Sequence, residues 1–572
     1  MSFSFTLLDP HPDPYYTPGS TSNKDCHRGH GSSGYLGAEG TECDAPLSLV
    51  DATLRWIEHN LKGKIDFVIW TGDSARHDQD VKIPRTMDEI VRLNEVIAEK
   101  FIHVFQENPK NDSGVPIGGP PIPIIPTIGN NDIMPHNTMK EGPNRWTRTF
   151  ADVWSKFIPE SQRHSFVEGG WFTADVIPGK LAAISLNTMY FYSSNAAVDG
   201  CDDTSEPGYE HMEWLRVQLK LLRERQMKAI LIGHVAPARA GSKRSWDETC
   251  WQKYTLWVNR YRDVVVGSVY GHMNFDHFML QDSHDMEIAD LADGSKVPED
   301  FSVQSDMGYL KALQDDWYDL PSPPSGVSFN EDLSAAVDDG IGADRSKKKK
   351  MKRFLKKIGG PLAERYSVSL VSPSLVPNFY PTLRVIEYNT TGLENTPTWA
   401  DTLFGQESHS GISYFEDEED AASPFEAPDA NTDKKNKKPK LIAPDPPPSS
   451  ALPGPAYSNQ PLSWLSYTQY YANITRSNEE LASHGLPVNE ALVDDVFDFE
   501  VEYDTRDDHT YNMKDLTVRS FFDLALRIGG NAPSAKSDDF DTEKKKKKRK
   551  NNKAWRTFLN RAFVGYFDVD DL

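Results

Sequence analysis

Five short apolar segments of this chain each end in a Gly or Pro beside an Asp, Asn or His, and this recurrence constrains the fold more than any other feature. The segments read as strands, and helical patterns lie between them, which predicts an α/β layered domain. Ligands of open α/β sheets bind outside the carboxyl ends of the strands. We therefore expect the polar residues that follow the five segments to meet at one edge of the sheet.

The predicted elements of this domain are short. Apolar runs predict strands at residues 3–8, 67–70, 122–128, 181–186, 229–232 and 264–269, with late strands at 366–375 and 382–388. Apolar residues at three- and four-residue steps predict helices at 47–61, 87–105 and 209–225, and an aromatic helical segment around 464–481.

The polar residues at the five strand ends are two Asp, three His and two Asn. A mixed nitrogen and oxygen set suits Zn, Mn, Fe or Co, whereas an all-oxygen set would favour Mg or Ca. An Asp in the middle of the set can bridge two ions, and two ions about 3.5–4 Å apart can hold a hydroxide and clamp a phosphoryl group for in-line attack. The set is Asp9, His11, Asp73, Asn130, His234, His272 and Asn274.

Composition shifts divide the rest of the chain. Blocks of like charge are typical of solvated, disordered segments, and gathering of a polyanion is the alternative for the basic blocks. The predicted organisation is a core at 1–285, a low-complexity insert with a basic end at 286–365, late strands of the core at 366–400, a disordered linker at 401–453, a small helical C-terminal region at 454–526, a basic disordered tract at 527–553 and a tail at 554–572.

Charge and cysteine usage exclude some classes of protein. With 62 basic and 85 acidic residues the net charge is −23, which argues against a nucleic-acid binder. The sequence contains no run of about 18 apolar residues, so no transmembrane helix is predicted. The four cysteines allow three pairings or four unrelated thiols, and the local pairing of Cys26 with Cys43 and Cys201 with Cys250 is favoured. Glycosylation sequons occur at Asn111, Asn389 and Asn473.

Four motifs resemble those of a known family. They are Asp9-Pro10-His11, the segment 70–78 with Gly72-Asp73, Gly129-Asn130-Asn131-Asp132 with Pro135-His136-Asn137, and Gly271-His272-Met273-Asn274. They resemble the fungal vacuolar endopolyphosphatases, an acid sphingomyelinase-like branch of the calcineurin-like metallophosphoesterases. The resemblance implies an α/β fold with a layered β-sandwich core flanked by helices. It implies a first ion held by Asp9, His11, Asp73 and Asn274 and a second held by Asp73, Asn130, His234 and His272.

The resemblance also implies the reaction. Two divalent ions (Mn, Co, Zn, Fe or Mg) would hold a bridging hydroxide that hydrolyses internal phosphoanhydride bonds of inorganic polyphosphate. Asn274 and Asn131 stand where the wider family has His, so Asn131 is a candidate donor to the transition-state oxygens, and His77 and His136 are candidate proton donors. Loop cations expected to bind substrate are Arg76, Arg145, Lys243 and Arg244.

Two other functions remain open from the sequence. One is a sphingomyelinase-like phosphodiesterase, and the other is a catalytically inactive phosphate-sensing scaffold. The family implies a vacuolar lumen or membrane location with a type II anchor that this sequence lacks, and it suggests maturation by vacuolar proteases. The paired cysteines and the sequons point to the same oxidising lumen.

Overall fold

The computed structural model describes residues 9–106, 122–284, 305–324, 345–393, 443–448, 450–485, 487–531 and 552–567, and residues 2–7 as backbone. Two six-stranded sheets form its centre. The strands, in chain order, are β1 Ser2–Leu7, β2 Pro12–Asp13, β3 Ala45–Pro46, β4 Phe67–Trp70, β5 Ile124–Pro126, β6 Phe172–Ile177, β7 Leu181–Ser185, β8 Lys228–Ile232, β9 Arg239–Ala240, β10 Lys243–Arg244, β11 Val265–Tyr270, β12 His277–Asp282, β13 Tyr366–Val371, β14 Thr382–Tyr388, β15 Trp464–Tyr471 and β16 Glu500–Asp504.

The first sheet has the order β16-β15-β14-β1-β4-β5. Its β1, β4 and β5 run parallel, so their carboxyl ends lie at one edge. The antiparallel strands β14, β15 and β16 extend the sheet on the other side of β1. The N-terminal strand therefore lies inside the sheet, between β14 and β4.

The second sheet has the order β12-β13-β11-β8-β7-β6. Strands β7, β8, β11 and β13 run parallel, and the outer strands β6 and β12 are antiparallel to their neighbours. One continuous apolar core includes residues of both sheets, and the Ser185 hydroxyl of β7 donates to the Pro126 carbonyl of β5 at 2.6 Å. The predicted layered β-sandwich core is confirmed.

Twelve helices surround the sheets in the described part of the chain. Their apolar faces pack on the core; on α5, for example, Met212, Leu215, Leu219 and Leu222 are buried. The helices are α1 Leu47–Asn60, α2 Met87–Phe101, α3 Arg145–Val153, α4 Arg163–Gly169, α5 Pro207–Glu224, α6 Glu248–Arg260, α7 Asp306–Tyr318, α8 Arg345–Ile358, α9 Ile474–His484, α10 Glu490–Val496, α11 Val518–Gly529 and α12 Lys553–Ala562.

The C-terminal half departs from the predictions in two places. The predicted helical segment around 464–481 is wrong in its first half, because Trp464–Tyr471 is β15 and pairs with β14 along its whole length. Its four aromatic residues favour a strand. The predicted low-complexity insert at 286–365 contains α7 and α8, each held by buried apolar residues.

Both predicted disulfides are present. Cys26 is bonded to Cys43 and Cys201 to Cys250. Among the described residues, no helix has the length and apolar character needed to span a bilayer. Of the three sequons, Asn111 lies outside the described residues, Asn389 is half-buried, and Asn473 accepts a hydrogen bond from the Arg476 amide as the N-cap of α9. Glycosylation stays a prediction.

Candidate active site

The polar residues predicted to meet do lie on loops that follow strand ends. Asp9 and His11 follow β1, Asp73 follows β4, Asn130 follows β5, His234 follows β8, and His272 and Asn274 follow β11. L-residues rarely adopt a positive φ, and such conformations cluster at functional sites. Five of the seven do so, which gives three of the five loops, those after β1, β4 and β11, a sharp turn: Asp9 (40°), His11 (36°), Asp73 (51°), His272 (70°) and Asn274 (57°).

Asp73 is the centre of the cluster. Its Oδ2 lies 3.3 Å from His11 Nε2 and 3.2 Å from His234 Nε2, and all three side chains are at most 2% exposed. Each imidazole is fixed at its other nitrogen: His11 Nδ1 donates to the Ala75 carbonyl at 3.0 Å, and His234 Nδ1 donates to the Thr71 carbonyl at 2.7 Å. Both Nε2 atoms are thereby directed at the carboxylate.

Asn130 joins His234 to the third imidazole, that of His272. Its Oδ1 lies 2.7 Å from His234 Nε2 and 2.7 Å from His272 Nδ1. Asp9 contacts the same group from the other side, since its Oδ1 lies 3.4 Å from His234 Nδ1 and its Oδ2 accepts from the His272 amide. Six of the seven predicted ligands therefore form one contiguous network.

The electrostatics show that this network attracts positive charge. Burial lowers the pKa of His11, but Asp73 and nearby carboxylates raise it to about 9. The pKa of His234 is likewise raised well above its ordinary value, against burial, by Asp73 and Asp9. Burial raises the pKa of Asp73, yet His234 and His11 bring it well below its ordinary value. Protons on the imidazoles thus supply charge that a cation could supply instead.

The residues fit divalent metal ions. Asp73, His234 and His272 bring one ligand atom each to within 4.8 Å of one another, and His11 forms a second such group with Asp44 and His77, which differs from the set predicted for the first ion. An imidazole that ligates through one nitrogen usually donates its other N–H to a carbonyl, as His11 and His234 do. The Oδ1 of Asn274 is buried with no hydrogen-bond partner among the described residues, which a metal ion would satisfy.

Asp132 is a residue of the site that the sequence analysis missed. It is fully buried and accepts from the Asp73 amide at 2.9 Å, the Ser74 amide at 2.7 Å and the Gly129 amide at 2.8 Å. The loops are so close that a Cβ at Gly129 would lie 2.1 Å from Asp73 Oδ1. The position of Asp132 in the Gly-Asn-Asn-Asp motif is the signal that could have identified it.

Asn131 also holds Asp73. Its backbone amide donates to Asp73 Oδ1 at 2.7 Å, and its side-chain amide donates to Oδ2 at 2.9 Å. In the structure, the amide group predicted to stabilise transition-state charge therefore orients the central carboxylate.

The two candidate proton donors have different surroundings. His77 stacks on His11 at 4.0 Å between centroids, and its Nδ1 lies 2.7 Å from Asp44 Oδ1, while Asp44 Oδ2 accepts from the His77 amide. His136 is exposed and its Nε2 accepts from Asn130 Nδ2 at 2.9 Å. Burial of the ring and the charge of Arg85 lower the pKa of His136. Asp44 follows Cys43 directly, so the first disulfide anchors the partner of His77.

The predicted substrate cations differ in position. Arg76 is 1% exposed and donates to Glu89 at 2.6 Å and the Ile83 carbonyl at 2.7 Å, so the prediction that it contacts substrate is not supported. Arg145 is 58% exposed and lies 3.5 Å from Asp88.

Burial and the charge of His234 lower the pKa of His272, and the charge of Lys243 contributes a smaller lowering. Lys243 therefore lies near the candidate metal-binding residues. Lys243 and Arg244 form β10 of the β9–β10 hairpin. Arg244 is exposed there and donates to the Gly241 carbonyl at 2.9 Å. The sequence analysis missed Arg85, which is 3% exposed and donates to the Asn131 carbonyl at 2.7 Å. Nothing in the sequence separates Arg85 from the other loop arginines.

His, Asp and Asn side chains that meet at strand ends of two packed sheets form a donor set suited to divalent metal ions, in a fold of the α/β type. No family model matches the sequence. Curated relatives match most of it. An endopolyphosphatase of Neurospora crassa is 42% identical over 590 residues, covering 94% of this chain and 78% of that protein. Those of Saccharomyces cerevisiae and Schizosaccharomyces pombe are each 34% identical, covering 92% and 91% of this chain and 83% and 82% of those proteins.

The chain belongs to the endopolyphosphatase family. Similarity to solved structures is weaker. A dimetal phosphatase from Danio rerio aligns with a TM-score of 0.27 and 12% identity, covering 49% of this chain and 84% of that chain.

Proposed function

We propose that this chain is a metal-dependent hydrolase of internal phosphoanhydride bonds in inorganic polyphosphate. The observation that carries the proposal is the convergence of His11 and His234 on Asp73, at the strand ends of a chain in the endopolyphosphatase family. Because this network is almost entirely buried and already favours positive charge, it suits resident cations better than a structural role.

The ligand assignment is the one that the family resemblance implies. Two divalent ions would be held by Asp9, His11, Asp73 and Asn274 on one side and by Asp73, Asn130, His234 and His272 on the other; the contacts of Asp73 with His11 and His234, and of Asn130 with His234 and His272, support it. When bound, such ions supply an activated water and neutralise charge on the phosphoryl oxygens.

The chain's own residues preorganise this site. Asp132 and Asn131 fix the Asp73 backbone and both of its carboxylate oxygens, so the carboxylate needs no reorganisation during turnover. Asp9 holds the His272 amide, which keeps the β1 and β11 loops together. The buried arrangement excludes bulk water from the ligand atoms, which strengthens every charge interaction there.

His77 is the better candidate for the leaving-group proton. Asp44 accepts at His77 Nδ1 and fixes the ring, which leaves Nε2 as the edge available to a leaving oxygen, and the side chain is 27% exposed. His136 uses its Nε2 to accept from Asn130, and burial and the charge of Arg85 lower the pKa of its ring, which disfavours the protonated form. The demand on any acid is modest, because a phosphate leaves far more readily than an alkoxide.

The test uses Asp73→Asn in the full chain. We expect bound metal, measured by elemental analysis, to fall and cleavage of long-chain polyphosphate, read as product length on a gel, to drop at least a hundredfold. Rapid shortening to intermediate lengths by the parent protein would identify internal cleavage. Asp88→Asn is the control, since the Asp88 side chain is 96% exposed. Full turnover by Asp73→Asn, with an unchanged fold by circular dichroism, would rule out the shared-carboxylate arrangement.

We also propose that the protein works in an oxidising compartment, the vacuolar lumen being the one that the resemblance implies. Two disulfides support this, because such bonds persist in oxidising compartments and are rare in the cytosol. Cell fractionation, followed by thiol labelling of the recovered protein, tests it. Recovery in the cytosol with four reactive thiols would contradict it.

A further inference from the structure

Helix α8 (Arg345–Ile358) has one buried face and one strongly basic face. Met351, Phe354 and Ile358 are at most 4% exposed and pack in a small apolar cluster with Tyr457 and Phe522. The cations on the opposite side are exposed, and they are Lys349, Lys350, Lys352, Arg353, Lys356 and Lys357.

This basic face stands out against the rest of the molecule. The chain as a whole carries a net charge of −23, so its overall field repels anions. Within α8 the cations are held in place by packing rather than free to spread apart. From residue 349 to residue 357 the helix advances about 12 Å, at about 1.5 Å per residue. An extended polyanion can contact several of these charges at once.

The basic face leads toward the active site. Lys357, near the end of α8, lines a cavity of about 770 Å³ that is also lined by Pro237, Arg239, Ala240, Gly241 and Arg244. These residues follow His234 and form the β9–β10 hairpin. Trp246, two residues after Arg244, forms a β-bridge with Tyr192, whose ring centroid lies 5.4 Å from that of His272. The hairpin therefore connects the metal-ligand network on one side with the cavity and α8 on the other.

The lining of the cavity carries little excess positive charge. Its Arg365 forms an ion pair with Asp282, and its Arg239 lies 3.0 Å from Glu248. Asp316 also lines it, so positive and negative charges are nearly balanced there. The excess of positive charge lies on α8.

We propose that the exposed basic face of α8 is a binding surface, outside the metal site, for the remote part of the polyphosphate chain that is being cleaved. This proposal rests on the proposed function for the identity of the polyanion. Each cation–phosphate contact is weak, but linked contacts along one chain combine through a raised effective concentration. The surface therefore acts on long chains and not on short ones. A membrane surface is the less favoured partner, because the apolar face of α8 is already buried in the protein.

The experiment removes four charges as Lys349→Gln, Lys350→Gln, Lys352→Gln and Lys356→Gln, which keeps helix propensity nearly constant. Binding of labelled long-chain polyphosphate is measured by anisotropy across a salt series, in an Asp73→Asn background so that no cleavage occurs. Counterion release predicts a slope of log affinity against log salt shallower by about 3, at about 0.7 for each phosphate that is no longer neutralised. In the active protein we expect the KM for long chains to rise about tenfold or more, with the KM for tripolyphosphate unchanged.

The control removes the same number of charges from other faces, at the exposed residues Lys64, Lys156, Lys180 and Lys220. An equal loss in both variants, or no change in the α8 variant, would overturn the proposal. A loss of binding to anionic vesicles with polyphosphate binding intact would assign the face to a membrane instead. Because binding is measured without catalysis, an absence of hydrolysis in the parent protein would reject the proposed function alone.

Discussion

Removal of the Asp132 carboxylate is the most direct test of how the site is held. This buried side chain accepts hydrogen bonds from three backbone amides, those of Asp73, Ser74 and Gly129, and from Asn94 Nδ2 at 3.1 Å. Asp132→Ala leaves the three backbone amides buried without an acceptor, whereas Asn94 Nδ2 keeps its hydrogen bond to the Ile90 carbonyl at 3.1 Å. At about 1 kcal/mol for each unsatisfied amide, the low end of the usual range, the free energy of unfolding falls by about 3 kcal/mol.

The assay is urea unfolding followed by tryptophan fluorescence, with metal content measured on the same samples. Because Asp132 fixes the Asp73 backbone, we expect lower metal occupancy together with lower stability. Asp88→Ala provides the matched control, and a change within about 0.5 kcal/mol is expected at that exposed position. A decrease below about 1 kcal/mol in Asp132→Ala, with full metal content, would refute the reasoning.

Three further predictions concern other parts of the molecule. Both carboxylate oxygens of Glu502 are buried without a hydrogen-bond partner among the described residues, and burial, with the charge of Asp276, raises its pKa well above the ordinary value. The native state then binds the proton more tightly than the unfolded state, so stability should fall as pH rises from about 5 to about 8. In thermal melts, Glu502→Gln should flatten the dependence of stability on pH. An equal dependence in both proteins contradicts this. Opening the Cys201–Cys250 bond by paired Ser substitutions should lower stability by about 4 kcal/mol for a sequence separation of 49, as read from urea midpoints, and an unchanged midpoint would count against it. His77→Gln should lower kcat about tenfold or more with metal content retained, whereas an equal kcat would assign the proton to another group.

The residues of the candidate metal site could be predicted to lie at strand ends because each lies next to a strand in the chain. Asp9, Asp73 and His234 follow apolar runs that the structure confirms as β1, β4 and β8. The carboxyl ends of parallel strands are where ligands bind in open α/β sheets, so local sequence predicts which residues lie at such ends. The prediction that all of them share one edge of a single sheet is wrong, because β1, β4 and β5 belong to the first sheet and β8 and β11 to the second.

Features that depend on distant parts of the chain could not be read in this way. In Trp464–Tyr471 the aromatic residues recur at three-residue steps, a spacing that suits a helix as well as a strand. The decision comes from pairing with β14, about 80 residues earlier in the chain. Asp44 is similar: its contact with His77 spans 33 residues, and no local pattern indicates it.

The conformation of α8 also differs from what its lysine-rich sequence predicts. A run of lysines predicts a solvated, irregular segment, yet residues 345–358 form α8. Met351, Phe354 and Ile358 recur at three- and four-residue steps within the lysine-rich stretch, and they bury one face. Three apolar residues were enough to decide the conformation, because the core offered a matching surface.

The central position of β1 determines how the active site faces any group attached to the N-terminus. The strand runs parallel to β4, and its carboxyl end leads to Asp9 and His11. Its first residue, Ser2, therefore lies at the opposite edge of the sheet, about 20 Å away at about 3.3 Å per residue. A bead, tag or bilayer attached ahead of Ser2 would stand behind the sheet, and the metal site would open away from that support toward polymer arriving from solution.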